Sequence, residues 1–258
     1  MCRIIAFSEN STAGKNSIIL ESFRRLAHFG RVALHSKKGH KDGWGVVAYR
    51  NTRRTLYVRR CSDAFLDREY EKTISMLKDS SPDFVMGHLR KASVGAVGSE
   101  NTHPFRHKNF TFCHNGTIYE SDRMALSERY KKLMRGNTDS ERFFFFLLQS
   151  FGKQKKHTKA SMRKAIITAV RFIRKNLRYE ALNFILSNGT HVWTVCEFKK
   201  KEGAEKYYTL FRGIEKKDGS WIVSSESMPI PGFKWKKMRN HELGELNLRT
   251  RAYRSFLL

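Results

Sequence analysis

An apolar run with a β-branched pair, Ile4-Ile5-Ala6-Phe7, follows Met1-Cys2-Arg3. It reads as a buried strand that begins almost at the chain terminus, and the rest of the chain is read around it. Removal of Met1 is expected before a residue as small as cysteine. Cys2 would then carry a thiol and a free α-amine together. The amine, with an unperturbed pKa of roughly 7.7–8.0, can take the thiol proton, so the nucleophile brings its own base. A free cysteine at such a place can also be no more than a small buried hydrophobe. Position alone does not separate the two readings.

At 258 residues, with 40% hydrophobic and 12% aromatic content, the chain can bury a sizeable core. No linker, repeat or low-complexity tract divides it, so one domain over residues 1–258 is expected. No apolar run reaches bilayer length, and the N-terminus lacks the pattern of a secretory signal. Cys2, Cys61, Cys113 and Cys196 lie far apart without a C-x-x-C pair, which points away from a zinc ribbon or disulfide framework and toward a reducing, cytoplasmic setting. The net charge is +26. Such an excess favours polyanionic partners. Basic clusters stand at Lys153–Lys159, Lys199–Lys201 and Lys234–Lys237, yet no RNA-recognition, helix-turn-helix or zinc-finger pattern accompanies them. Solvated basic faces without a dedicated partner are the competing reading.

Along the chain, Ser17 reads as the N-cap of a helix carrying Ile19, Phe23, Leu26 and Ala27 and stopped by Gly30. Asp42–Tyr49 and Leu56–Arg59 read as a hairpin. Tyr70, Ile74 and Leu77 form a helix stripe, and Phe84-Val85-Met86 a short strand leading into Gly87-His88-Leu89-Arg90-Lys91-Ala92-Ser93, after which a glycine-spotted loop runs to Glu100. Phe110–His114 is a strand, and Asn115-Gly116 would ordinarily be a hairpin turn. Thr138 with Glu141 is a capping box. It opens a helix with the run Phe143–Leu148, where Asp139 would be a first-turn carboxylate. A second long helix spans about Ser161–Leu177. Leu182–Ser187, His191–Phe198, Tyr207–Arg212 and Trp221–Ser224 read as strands, with Lys199–Lys206 and Lys216–Gly219 as hairpin tips. Strands first, helices in the middle and strands last fit an α+β layered sandwich with antiparallel sheets.

Six segments now combine: Cys2-Arg3-Ile4-Ile5, Asp42-Gly43-Trp44-Gly45, Gly87-His88-Leu89-Arg90-x-Ala92-Ser93, Asn101-x-His103-Pro104-Phe105, His114-Asn115-Gly116 and Thr138-Asp139-Ser140-Glu141. Their order resembles that of the class II glutamine amidotransferases, and Ser225-Glu226-Ser227 resembles a late segment of the stand-alone members. The resemblance runs from Cys2 to about Leu246. It implies an N-terminal-nucleophile (Ntn) hydrolase fold, a four-layer αββα sandwich with its site at the start of the first strand. It implies Cys2 as nucleophile, Asn115 and Gly116 as the oxyanion hole, and Arg90 and Asp139 as ligands of the α-carboxylate and α-ammonium of L-glutamine. Ser93 and His103 fall within substrate-binding segments, His103 and His88 in supporting positions. No cofactor or metal is implied.

Two features depart from that pattern. Lys91 stands where many members have an aromatic residue, which leaves the shape of the pocket open. The chain also ends where ammonia-using relatives continue into a synthase domain, so a separate synthase subunit, or another γ-glutamyl amide as substrate, is expected instead. A basic nucleic-acid-associated protein on the same fold is a further alternative. Metal hydrolysis by His88, His103, His107, His114 and Cys113 is disfavoured, because their spacing matches no zinc motif.

Overall fold

The computed structural model describes residues 2–9, 15–32, 36–215 and 219–258. The chain begins with strand β1 (Arg3–Ser8), helix α1 (Lys15–Phe29), the hairpin β2 (Gly43–Arg50) and β3 (Arg53–Arg60), helix α2 (Arg68–Ser80) and strand β4 (Phe84–Arg90). Strands β5 (Phe105–His107) and β6 (Phe110–Asn115) follow, then the single turn α3 (Glu128–Lys131) and the long pair α4 (Asp139–Gly152) and α5 (Lys159–Asn176). The last third holds β7 (Asn183–Ser187), β8 (His191–Cys196), the short α6 (Ala204–Tyr208), β9 (Phe211–Ile214) and β10 (Trp221–Ser224). It closes with β11 (Lys234–Lys237), β12 (Glu242–Asn247) and β13 (Tyr253–Leu257).

Two antiparallel sheets result. One has the order β11-β9-β10-β1-β4-β2-β3 and the other β13-β12-β8-β7-β6-β5. Strand β1 is central, with Ile5 opposite Gly87 on β4 and Ser224 on β10. Its period-2 alternation divides two cores. Ile4 and Ala6 enter the layer between the sheets, while Ile5 and Phe7 pack with Ile19, Leu20 and Phe23 of α1. Strand β6 does the same on the other sheet: Cys113 faces inward, and Phe112 faces Phe143 and Phe144 of α4. The layers are therefore α1/α2, sheet, sheet, α4/α5, the αββα order expected. Each fully buried leucine, isoleucine or phenylalanine contributes about 1.5–3 kcal/mol, and all three cores are built from such residues.

Several local expectations are corrected. Helix α1 already includes Lys15, so Ser17 lies inside it and is not its N-cap. Residues 10–14 of the preceding loop lie outside the described residues. Strand β4 runs through Gly87-His88-Leu89-Arg90, because β1 and β2 pair with it on both sides to its end. Asn115-Gly116 is not a hairpin turn. Asn115 is the last paired residue of β6, opposite Asn183. Thr138 does cap α4 by accepting from Glu141 N at 3.1 Å, but Glu141 does not return the bond. Its carboxylate accepts from Arg135 N and Gly136 N instead. Tyr207 and Tyr208 belong to helix α6 rather than a strand, so Lys199–Lys206 is not a hairpin tip. Most of Lys216–Gly219 lies outside the described residues. No helix among the described residues is long and apolar enough to cross a membrane.

Candidate active site

The N-terminal end of β1 meets the C-terminal ends of β4 and β6, and the start of α4 closes the group. Cys2 lies partly exposed at this junction. Its backbone nitrogen donates to Asn115 Oδ1 at 3.1 Å. Lys91 N donates to Cys2 Sγ at 3.4 Å, and Lys91 O lies 3.6 Å from the same sulfur. Burial pushes the thiol above its ordinary range, while the Lys91 N–H and the Arg90 charge act in the opposite direction. The backbone of residue 91 makes these contacts. The Lys91 side chain reaches the Lys37 carbonyl, so a lysine in place of an aromatic residue leaves the thiol's main-chain contacts intact.

Asn115 is wholly buried, and with Oδ1 held by Cys2 its Nδ2 has no partner among the described residues. An unpaired buried amide donor is costly, roughly 1–3 kcal/mol. Next to it, a Cβ on Gly116 would collide with the Ala181 carbonyl oxygen, so only glycine fits there. The arrangement leaves a buried amide donor on the same side chain that accepts from the nucleophile's backbone nitrogen.

Asp139 and Asn115 lie on different elements, yet the fold ties them together. Ile118 N donates to Asp139 Oδ2 at 2.7 Å. His114 Nε2 lies 3.2 Å from Ala181 O, which can only accept, so Nε2 carries the proton and Nδ1 accepts from Ser140 Oγ at 2.9 Å. Burial lowers His114 to about 4, which keeps the ring neutral. Burial also raises the Asp139 carboxyl to about 6, against the hydrogen bonds from the Ile118 and Ser140 backbone N–H groups.

Arg90 is buried at the end of β4. Nη1 donates to Ala96 O at 3.0 Å, and Nη2 donates to Val94 O and Gly95 O at 3.3 and 3.2 Å. The side chain therefore shapes the loop that follows it and retains Nε and one Nη1 hydrogen outside these three bonds. Gly95, at φ +76°, makes that loop's turn. Ser93 Oγ lies 3.3 Å from Thr117 Oγ1. Both line a cavity of about 640 Å³ that begins at Lys91 and continues past Tyr119 to Glu180 and Tyr208.

His103 is placed differently. It is buried and stacked on His88 with ring centroids 4.1 Å apart, it packs on Phe105, and it does not line that cavity. Among the described residues both its ring nitrogens and His88 Nδ1 lack partners, and burial holds both rings well below the usual histidine range. The candidate set therefore comes together at one junction except for His103, which lies beneath it. Among the described residues no cluster of three metal-ligating side chains occurs.

The motif segments also contain supporting residues whose partners no spacing states. Asp42 Oδ2 accepts from Ala92 N at 2.8 Å and fixes the loop after Arg90. Asn101 Oδ1 accepts from Asn137 N at 3.0 Å, and its Nδ2 donates to Ala96 O, tying that loop to the approach to α4. Arg3, fully buried beside the nucleophile, pairs through Nε with Glu226 at 2.7 Å, and its guanidinium lies 4.3 Å from the Tyr207 ring centroid. Ser225 completes the clamp, its Oγ accepting from Ile4 N at 2.9 Å.

Comparison with known proteins gives a concordant result. Residues 1–210 match the family described as class II glutamine amidotransferases. YafJ of Escherichia coli (strain K12), provisionally named a glutamine amidotransferase, is 31% identical over 212 residues, covering 76% of this chain and 73% of YafJ. A Haemophilus influenzae protein of the same provisional name is 29% identical, covering 76% of this chain and 63% of its own length. Among solved structures, a glutamine aminotransferase class-II domain protein from Silicibacter pomeroyi superposes over the full length of both chains with a TM-score of 0.60 at 17% identity. Glutamine phosphoribosylpyrophosphate amidotransferase from Bacillus subtilis gives 0.65 at 15% identity, covering all of this chain and 49% of that one, and these two likenesses concern the fold alone. The chain belongs to the class II glutamine amidotransferases.

Proposed function

We propose that the protein hydrolyses the side-chain amide of L-glutamine with Cys2, freed of Met1, as the nucleophile. The observation that carries this reading is the buried Asn115 Nδ2, left without a partner beside the thiol. The Cys2 α-amine takes the thiol proton, and the thiolate adds to the amide carbon. Negative charge moves to the amide oxygen, where Asn115 Nδ2 and Gly116 N–H donate to it. Collapse breaks the C–N bond as the α-ammonium returns the proton to the nitrogen, and ammonia leaves. Water then adds to the γ-glutamyl thioester with the same amine as base, releasing glutamate and the thiol. Arg90 holds the α-carboxylate through its uncommitted donors, Asp139 holds the α-ammonium, and Ser93 lies at the mouth.

Ammonia passes to an acceptor on a partner synthase. A Francisella tularensis relative that is named a glutamine–fructose-6-phosphate aminotransferase is 25% identical over 144 residues, which cover 21% of its length. That name supports the idea of coupling to a second activity. The 640 Å³ cavity favours a second reading, because it is of a size that takes drug-sized ligands. In that reading the substrate is a γ-glutamyl amide with a larger group on nitrogen.

The test is ammonia and glutamate release from L-glutamine and from N-substituted γ-glutamyl amides, with intact mass recorded for each preparation. Glutamate should form with protein lacking Met1 and should fall to background in Cys2→Ala. Equal turnover by protein that retains Met1, or by Cys2→Ala, would refute the mechanism.

A further inference from the structure

The positive charge is not spread evenly. Between Lys153 and Arg178 the sequence has ten lysines and arginines and no carboxylate. Helix α2, by contrast, interleaves Arg68, Lys72 and Lys78 with Glu69, Glu71 and Asp79. Most of the acid-free stretch is α5, whose 18 residues span about 27 Å at 1.5 Å per residue. Its inner face is Met162, Ile166, Ala169, Val170 and Ile173, packed in the core with α4. Lys164, Arg171 and Lys175 are exposed on the outer face, separated by about 10 and 6 Å of helix rise.

The charges on that face are also unneutralised. Arg163 pairs with Glu245, Arg174 with Glu197 and Arg178 with Glu120. Lys164, Arg171 and Lys175 have no carboxylate partner among the described residues, and neither do the exposed Lys199 and Lys200. Lys199 and Lys200 line one cavity of about 390 Å³ with Arg171, Arg174 and Lys175. Glu197, beneath it, is fully buried and already engaged by Tyr179 and His241 at 2.7 and 2.6 Å. The same composition continues past the other end of the helix. A cavity of about 810 Å³ there is lined by His107, Lys108, Arg129, Lys153 and His157, and by no carboxylate.

We propose that the outer face of α5, together with Lys199 and Lys200, docks the phosphodiester backbone of duplex nucleic acid without reading its sequence. A duplex presents one negative charge per about 1.7 Å of its axis. A rigid row of cations longer than two helical turns can therefore engage several phosphates at once. A single strand fits less well. Tyr179 and Phe198, the aromatic residues at the 390 Å³ cavity, are themselves buried and offer no stacking platform. The face lies on the outermost layer, away from the thiol that precedes β1, so the two activities are separable.

The experiment is the salt dependence of binding of a short labelled DNA duplex, read by fluorescence anisotropy. The probe variant combines Lys164→Gln, Arg171→Gln, Lys175→Gln, Lys199→Gln and Lys200→Gln. A control combines Arg53→Gln, Arg68→Gln, Lys78→Gln, Lys234→Gln and Lys236→Gln, exposed cations on the seven-stranded-sheet side, and changes the net charge equally. At about 0.9 per phosphate, the slope of log K against log[salt] should drop by about 4.5 in the first variant and stay near wild type in the control. Thermal melts of both variants should match wild type. Equal loss of slope in both variants would overturn the proposal by assigning binding to total charge. So would tighter binding of a single strand than of the duplex, or binding only to vesicles of anionic lipid.

Discussion

Asp139→Asn is expected to make the protein more stable at neutral pH while removing its affinity for glutamine. The Asp139 side chain is buried, and burial raises its pKa from 3.8 to about 6. The folded state thus binds the proton more tightly than the unfolded chain. Stability contributed by this group therefore falls as pH rises from about 4 to 6 and is level above that. At 1.36 kcal/mol per pKa unit, ionised Asp139 costs about 3 kcal/mol at pH 7.5. Asparagine keeps an acceptor for Ile118 N but gives up a charge-assisted bond, which takes back about 1 kcal/mol. The variant should gain about 1–3 kcal/mol in urea unfolding at pH 7.5, and the gain should vanish near pH 4. Its KM for glutamine should rise steeply with little change in fold, and the wild-type KM should rise as pH falls through about 6. A variant less stable than wild type at pH 7.5, or a stability difference that does not change between pH 4 and 7, would refute the reasoning.

Two other changes probe the frame around the thiol. Glu226→Gln leaves the fully buried Arg3 guanidinium without its carboxylate and should cost about 2–4 kcal/mol in denaturant unfolding, with turnover lost in parallel. Gly116→Ala forces a methyl group into the Ala181 carbonyl; it should cost at least about 1–3 kcal/mol and abolish glutamate formation in the ammonia assay.

What the sequence made legible follows the range over which its signals act. The buried β1, the β2–β3 hairpin, the capped start of α4 and the two-sided apolar character of Phe143–Leu148 rest on local periodicity and turn chemistry, and these elements form as expected. Signals failed where the neighbour decides. Gly87–Arg90 extends only because β1 and β2 flank it, and no property of those four residues states that. Lys234-Trp235-Lys236 has period-2 alternation, yet in sequence it looks like any basic cluster, because charge on an edge strand looks the same as charge on a loop. Tyr207-Tyr208 has high strand propensity but forms part of α6 after Gly203 at φ +72°. At the site, the motif order picked out residues that the fold gathers at one junction, and with them His103, which stacks on His88 instead. The Arg3–Glu226 pair, brought together from opposite ends of the chain, was beyond any spacing argument.

The distribution of satisfied and unsatisfied groups separates positioning from chemistry. Asp42, Asn101, His114 and Ser225 spend their hydrogen-bonding capacity within the protein and hold other segments in place. Asn115 Nδ2 and the Asp139 carboxylate are short of compensation, and each lowers stability by an amount that a ligand could return. A fold that only needed to persist could replace both with apolar residues of similar volume. Their costs fall where β1 and α4 begin and β4 and β6 end, with three apolar cores on the surrounding layers to offset them. His88 and His103 break this rule, with unpartnered nitrogens away from the cavity, and remain neutral because burial suppresses their protonation. On the proposed function, filling the Asn115 and Asp139 positions with substrate should therefore raise the stability of the whole molecule, and a thermal shift with added L-glutamine reads this.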